Sequence, residues 1–122
     1  MERTYLKSKI HRATLTETVL EYEGSITIDP VLLKATDIDW YEKVQVMNMN
    51  TGARFETYVI PGKRDSGQLC LNGPAARLGE VGDSILVVSY IQADEKEKDR
   101  LVPVVVHVDQ DNRITRTEKR KG

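Results

Sequence analysis

One cysteine among 122 residues, Cys70, leaves no partner for an internal disulfide, and its setting in "QLCLNG" is that of a buried strand position. Only two histidines are present, His11 and His107, with neither an HxxxH nor a CxxC spacing, so a zinc site has no support and no metal is expected. No GxGxxG fingerprint and no P-loop occur, which removes the common nucleotide-phosphate cradles. An excess of charge is missing too. Lys and Arg total 18 against 19 Asp and Glu, so no net field recruits nucleic acid. The start "MERTYLKSKIHR" lacks a hydrophobic run, so neither a secretory signal nor a membrane anchor is expected, and the lone thiol suits a reducing cytoplasm. No repeat and no Pro/Gly linker divides the chain, and one domain is the expectation.

What is present is alternation. With 39% hydrophobic and 30% charged residues the chain can bury one modest core. Period-two patterns run through Thr4 to Thr16, Lys43 to Met49 and Arg54 to Ile60; in the last, Phe55, Thr57 and Val59 face one way and Arg54, Glu56 and Tyr58 the other. Ser84–Ile91 and Leu101–Val108 are more continuously apolar, as in strands covered on both sides. Turn residues separate the runs in "NTGAR", "PGKRDSG" and the hairpin connection "DQDNR". Helix is scarce. "DPVLLKA" has an Asp N-cap and a Pro at the first helical position, while "GPAARLG" and "ADEKEKDR" suit single turns. The fold class is mostly β, a small barrel or sandwich with short helices, ending near residue 115. The basic run "RTEKRKG" at 116–122 is expected to be a disordered tail.

Several polar residues fall where a half-buried barrel would prefer apolar ones: Lys9, His11, Arg54, Thr57, Tyr58, and Asn72 in the "NGPAA" turn. Singly, each has an ordinary explanation as a solvated face, a β-former or a turn residue. The stretch "YEGSIT" offers a reason to take them together. Gly24 has no Cβ to shield its carbonyl and has access to backbone conformations closed to other residues. In a fold that strains this bond, the Ser25 hydroxyl attacks the preceding carbonyl and turns the amide into an ester. Elimination then leaves dehydroalanine, which hydrolyses to a pyruvoyl group. Gly–Ser is a common turn pair, so the dipeptide alone decides nothing.

The surroundings decide more. "RTYLKSKIHRATLTE", "YEGSITID", "NTGARFETYVIPGKRDSG", "LNGPAARLGEVGD" and "ILVVSYI" occur in an order and spacing that resembles the bacterial pyruvoyl-dependent aspartate 1-decarboxylases, lyases that make β-alanine for pantothenate biosynthesis. The likeness covers roughly residues 3 to 91. It implies a double-psi β-barrel assembled as a homotetramer with active sites between subunits. It implies autocatalytic cleavage between Gly24 and Ser25 of a zymogen, giving a short β chain, 1–24, and a longer α chain, 25–122. Ser25 would become a covalent pyruvoyl cofactor that forms a Schiff base with L-aspartate, without metal or pyridoxal phosphate. Tyr58 matches the family's proton donor, Thr57 a residue of processing and substrate contact, and Lys9, His11 and Arg54 donors for the substrate carboxylates. Asn72, Gly73, Pro74 and Ala75 match the turn that lines the pocket.

The chain departs from that pattern at Pro74, which has no amide hydrogen, and at Met47, where some relatives carry Trp. Which cation takes which carboxylate stays open, as does the need for a maturation partner protein. Two other readings compete: a barrel of the same fold that never processes and serves as a binding or assembly module, and a pyruvoyl decarboxylase for another acidic amino acid.

Overall fold

A computed structural model describes residues 1–120. Among the described residues nine strands form: β1 (Glu2–Thr14), β2 (Glu17–Val19), β3 (Ser25–Ile28), β4 (Lys43–Asn48), β5 (Arg54–Pro61), β6 (Leu69–Asn72), β7 (Ser84–Asp94), β8 (Val104–Val108) and β9 (Ile114–Lys119). They form one sheet in the order β2-β6-β3-β5-β4-β7-β1-β8-β9. Pairing is antiparallel except for β1/β8, β2/β6 and β3/β5. The ladder is not closed by strand pairing. Its curl is completed by the link from β1 to β2, where Leu15 N–H donates to Asp83 O at 2.9 Å and Thr16 N–H to Leu69 O at 2.9 Å. The result is a single, mostly β domain compatible with a double-psi barrel.

Alternation explains the core. In β4, Val44, Val46 and Asn48 point inward between exposed or half-buried neighbours. Ile10, Leu15, Ile26, Ile28, Val59, Leu69, Leu71, Ile85 and Val87 join them with no residual exposure. Each aliphatic side chain so buried contributes roughly 1.5–3 kcal/mol relative to solvent. Two register shifts interrupt β1, between Leu6 and Ser8 and between Ile10 and Ala13, where Arg12 takes φ 58°. Lys7, at the first of these shifts, pairs with Glu42 at 2.9 Å.

The short helices fall where the caps put them. α1 (Pro30–Thr36) starts behind Asp29, whose carboxylate accepts from Val31 N–H. A 3₁₀ turn, η1, spans Gly73–Leu78, and another, η2, spans Glu95–Arg100 with an Asp94/Glu97 capping box.

Three sequence expectations are corrected. Order does not stop at 115: Arg116 to Lys119 belong to β9, whose Thr117 and Glu118 pair with Val106 and Val105. A new strand formed from charged residues needs only backbone partners on an edge, so composition concealed it. The remaining tail residues, 121–122, lie outside the described residues. Strand β8 starts at Val104 rather than Leu101, because Pro103 has no N–H for the ladder. The Thr4–Thr16 run is β1, which starts earlier, at Glu2, and ends at Thr14, and a separate short strand, β2, follows at Glu17–Val19. Among the described residues no helix is long and apolar enough to cross a membrane.

Candidate active site

Strand β3 opens at Ser25, directly after the loop that carries Gly24. Ser25 is fully buried. Its hydroxyl donates to Glu23 O at 3.0 Å and accepts from Asn72 Nδ2 at 3.0 Å. Antiparallel pairing with β6 sets Asn72 opposite Ser25 and Cys70 opposite Thr27. The same amide nitrogen donates to Thr27 Oγ1 at 2.8 Å, and Cys70 Sγ donates to Asn72 Oδ1 at 3.2 Å. Burial pushes the Cys70 thiol up to about 11, with a smaller contribution from Glu17. Thr27 was not among the sequence candidates, although period two places it on the same face as Ser25.

Gly24 was expected to supply the unusual backbone at this point, but its φ is not in the left-handed region. Gly73 supplies it, with φ +65°. A Cβ on Gly73 would stand 2.7 Å from both Gly24 N and Tyr22 O, so the turn rests against the segment before Ser25 as only glycine allows. Pro74 follows in the first turn of η1, where a helix has no intrahelical acceptor for an N–H, so its missing hydrogen costs no helical bond. A Cβ on Gly24 would touch Pro74 Cδ at 3.4 Å. Ala75 is buried behind them.

The β3/β5 register, Ile26 beside Val59, carried back two residues, puts Thr57 level with Gly24. Thr57 is half-buried and makes no hydrogen bond to Ser25. Tyr58 points to the opposite face. Its hydroxyl makes a long 3.4 Å contact with the Glu23 carboxylate, and its ring centroid lies 6.1 Å from that of Tyr41. Lost solvation and then the Glu23 charge raise the Tyr58 pKa above 10.0, which keeps the phenol protonated at neutral pH.

The cationic candidates lie elsewhere. Lys9 pairs with Val88 on β7 and Val105 on β8, and β1 is separated from β3 in the sheet by β7, β4 and β5. Lys9 forms no salt bridge among the described residues, unlike its neighbour Lys7. The His11 ring stands edge-on to His107 at 5.2 Å, and its buried Nδ1 has no hydrogen-bond partner among the described residues. Desolvation, then Lys9 and His107, lower the His11 pKa below 6.5. Arg54 is exposed, and its Nη2 contacts Met47 Sδ at 3.1 Å. No described contact unites Lys9, His11 and Arg54 with Ser25. A cavity of about 760 Å³ has none of them in its lining, which includes Tyr5, Leu101 and Arg120.

Fold and site together define a small single-domain β protein in which a fully buried serine, one residue past a glycine, is gripped by a backbone carbonyl and a side-chain amide. Comparison with known sequences narrows this class. The chain belongs to the aspartate decarboxylase family, whose profile matches residues 1–115. It is 57% identical over 119 residues to an aspartate 1-decarboxylase of Pelotomaculum thermopropionicum, covering 98% of this chain and 89% of that one. It is 55% identical over 111 residues to the protein of the same name from Lactiplantibacillus plantarum, covering 91% and 85%. With that of Campylobacter jejuni it shares 54% over 116 residues, covering 95% and 91%.

Proposed function

We propose that this protein cleaves itself between Gly24 and Ser25, converts Ser25 to a pyruvoyl group and removes the α-carboxylate of L-aspartate, yielding β-alanine and CO₂ for pantothenate biosynthesis in the cytoplasm. The observation that carries the reading is the Ser25 hydroxyl, fully buried and held at 3.0 Å from both Glu23 O and Asn72 Nδ2 in a chain of this family.

Processing uses the chain's own atoms. Ser25 Oγ attacks the Gly24 carbonyl carbon, the C–N bond breaks, and the hydroxyl proton passes to the Ser25 nitrogen, leaving an ester. Loss of the Ser25 α-proton breaks the Cβ–Oγ bond, and Gly24 departs as a carboxylate. The dehydroalanine tautomerises to an imine, which takes up water and releases ammonia to leave the carbonyl. The residues present fit such a group. The Ser25 position is buried, a backbone carbonyl and an amide orient its oxygen, and a Cβ-free Gly73 rests on the segment to be released.

The pyruvoyl carbonyl, once formed, supplies a covalent attachment point for the substrate amine and an electron sink as CO₂ leaves. Tyr58 is placed by this reading to return a proton to the carbon that lost CO₂, as its protonated phenol can. Thr57, level with Gly24, contacts the carbonyl oxygen during processing and the substrate afterwards. Asn72, Gly73, Pro74 and Ala75 line the pocket. Among the described residues Arg54 and Lys9 are cations without a carboxylate partner, and the His11 ring nitrogen Nδ1 has no hydrogen-bond partner. Arg54 suits bidentate capture of one carboxylate.

No described contact joins these two groups of residues within one chain. Arg54 and Tyr58 share a face of β5 four residues apart, about 13 Å along the strand, and β4 and β7 stand between β5 and the strand of Lys9 in the sheet order. A homotetramer, with Lys9, His11 and Arg54 of one subunit facing Ser25 and Tyr58 of the next, brings them together. Intact-mass measurement of the purified protein tests the reading. A fragment ending at Gly24 and a remainder with an N-terminal pyruvoyl are expected, and Ser25→Ala stays whole and forms no β-alanine. Native protein that turns over aspartate while remaining uncut overturns it, and faster turnover of glutamate would reassign the substrate.

A further inference from the structure

Two cross-strand pairs on one face of β3 and β6, Ser25 with Asn72 and Thr27 with Cys70, are joined by hydrogen bonds that all run through the Asn72 amide. We propose that Cys70 and Thr27 are positioning residues for self-cleavage, which together hold the Asn72 amide in the orientation that presents its nitrogen to Ser25 Oγ. The proposal rests on the reading that Gly24–Ser25 is the processing bond.

A primary amide has nearly the same shape with its oxygen and nitrogen exchanged, so its neighbours determine which end faces where. Both hydrogens of Asn72 Nδ2 have hydroxyl acceptors, Ser25 Oγ at 3.0 Å and Thr27 Oγ1 at 2.8 Å. The amide oxygen faces the Cys70 thiol at 3.2 Å. In the reversed orientation Oδ1 would meet Ser25 Oγ, whose proton is already directed to Glu23 O. The NH₂ group would then meet sulfur, a weak acceptor. With its pKa pushed up to about 11 by burial, Cys70 keeps its S–H and remains a donor at neutral pH. Thr27 is 8% exposed, Asn72 3% and Cys70 2%, which leaves little access for water to replace a lost bond.

The orientation matters because one donor follows Oγ through the reaction. Oγ gives up electron density as it attacks and becomes the ester oxygen, and it gains negative charge when the Cβ–Oγ bond breaks and Gly24 departs as a carboxylate. A hydrogen bond from Nδ2 strengthens at that elimination step, the step that severs the chain. Cys70 and Thr27 touch no reacting atom and act through Asn72. The effect falls on cleavage, since Oγ leaves the α chain with Gly24.

The test follows the fraction of uncut chain with time by intact mass in the full-length protein, with β-alanine formation measured per cleaved chain. Cys70→Ala and Thr27→Val each remove one bond to the amide, and each should slow cleavage about fivefold, the rate equivalent of one ordinary hydrogen bond. Cys70→Ser and Thr27→Ser retain a hydroxyl and should recover most of the native rate. Turnover per cleaved chain should change less than the cleavage rate. Native-rate cleavage by Cys70→Ala, or a Cys70→Ser variant as slow as Cys70→Ala, overturns the proposal, the second because it marks packing rather than donation as the property that counts. An uncut native chain would instead refute the processing reading, and that control is scored first.

Discussion

Tyr58 and Gly73 show how differently two residues of one site can fail. Replacing Tyr58 by Phe removes the phenolic proton and a long contact to Glu23 but leaves Ser25, Asn72 and Glu23 O in place. The expected outcome is a chain that still cuts while its aspartate turnover falls by about 10²-fold or more, checked by intact mass beside a β-alanine assay. Gly73→Ala puts a methyl 2.7 Å from backbone atoms of Tyr22 and Gly24 at a φ of +65°. The left-handed conformation alone costs roughly 1–2 kcal/mol, and the clash must move the segment that is to be cut. A lower thermal midpoint and slowed cleavage are expected together. Tyr22 itself is 57% exposed, and it is its carbonyl oxygen that a Cβ on Gly73 would meet.

Between β3 and the loop ahead of β6, Asp29 ties an element to its neighbours. Its two carboxylate oxygens accept from Val31, Asp65 and Gly67 N–H, each at 2.9 Å, capping α1 and holding the 61–67 loop at once. Burial pushes the Asp29 pKa upward, but the backbone donors outweigh it and hold the pKa below 3.8. A carboxylate lowered by folding stabilises the folded chain above its ordinary value, and that contribution fades as pH falls through the lower, folded value. Asp29→Asn should therefore cost about 2 kcal/mol at neutral pH, the scale of charge-assisted hydrogen bonds, and should lose its disadvantage as the pH falls through the lowered, folded-state pKa of Asp29. Denaturant melts of both proteins across pH test this. A deficit that persists undiminished into acid would show that the charge is not what stabilises the loop.

For the molecule as a whole, the separation of the two residue groups makes a prediction that no single chain can satisfy. Arg54→Ala should chiefly weaken aspartate binding and leave cleavage intact, whereas Tyr58→Phe should lose turnover. Because Arg54 and Ser25 act from different subunits in this reading, mixed assemblies of Arg54→Ala and Tyr58→Phe chains should contain sites with both native residues and recover part of the activity. Co-expression with two affinity tags, followed by assay of the doubly purified assembly, measures it. Inactive mixed assemblies would place the whole site within one chain.

The order of residues was enough to show a mostly β domain, because alternation at Lys43–Met49 and Arg54–Ile60 is a local property of the strands themselves. It was also enough to locate α1, whose cap and proline are adjacent in the chain, and to name as candidates Ser25 and Asn72, which the structure joins by a 3.0 Å hydrogen bond. Pairing across the sheet was not legible in the same way. Period two tells which side of a strand a residue faces but not which strand lies opposite, and Thr27 and Cys70, 43 positions apart, became neighbours of one amide only through the β3/β6 register. For the same reason the strained backbone fell to Gly73 rather than Gly24, and a charged terminal run became strand β9. Contacts between distant segments are a property of the folded sheet, where backbone hydrogen bonds and core burial choose the register together.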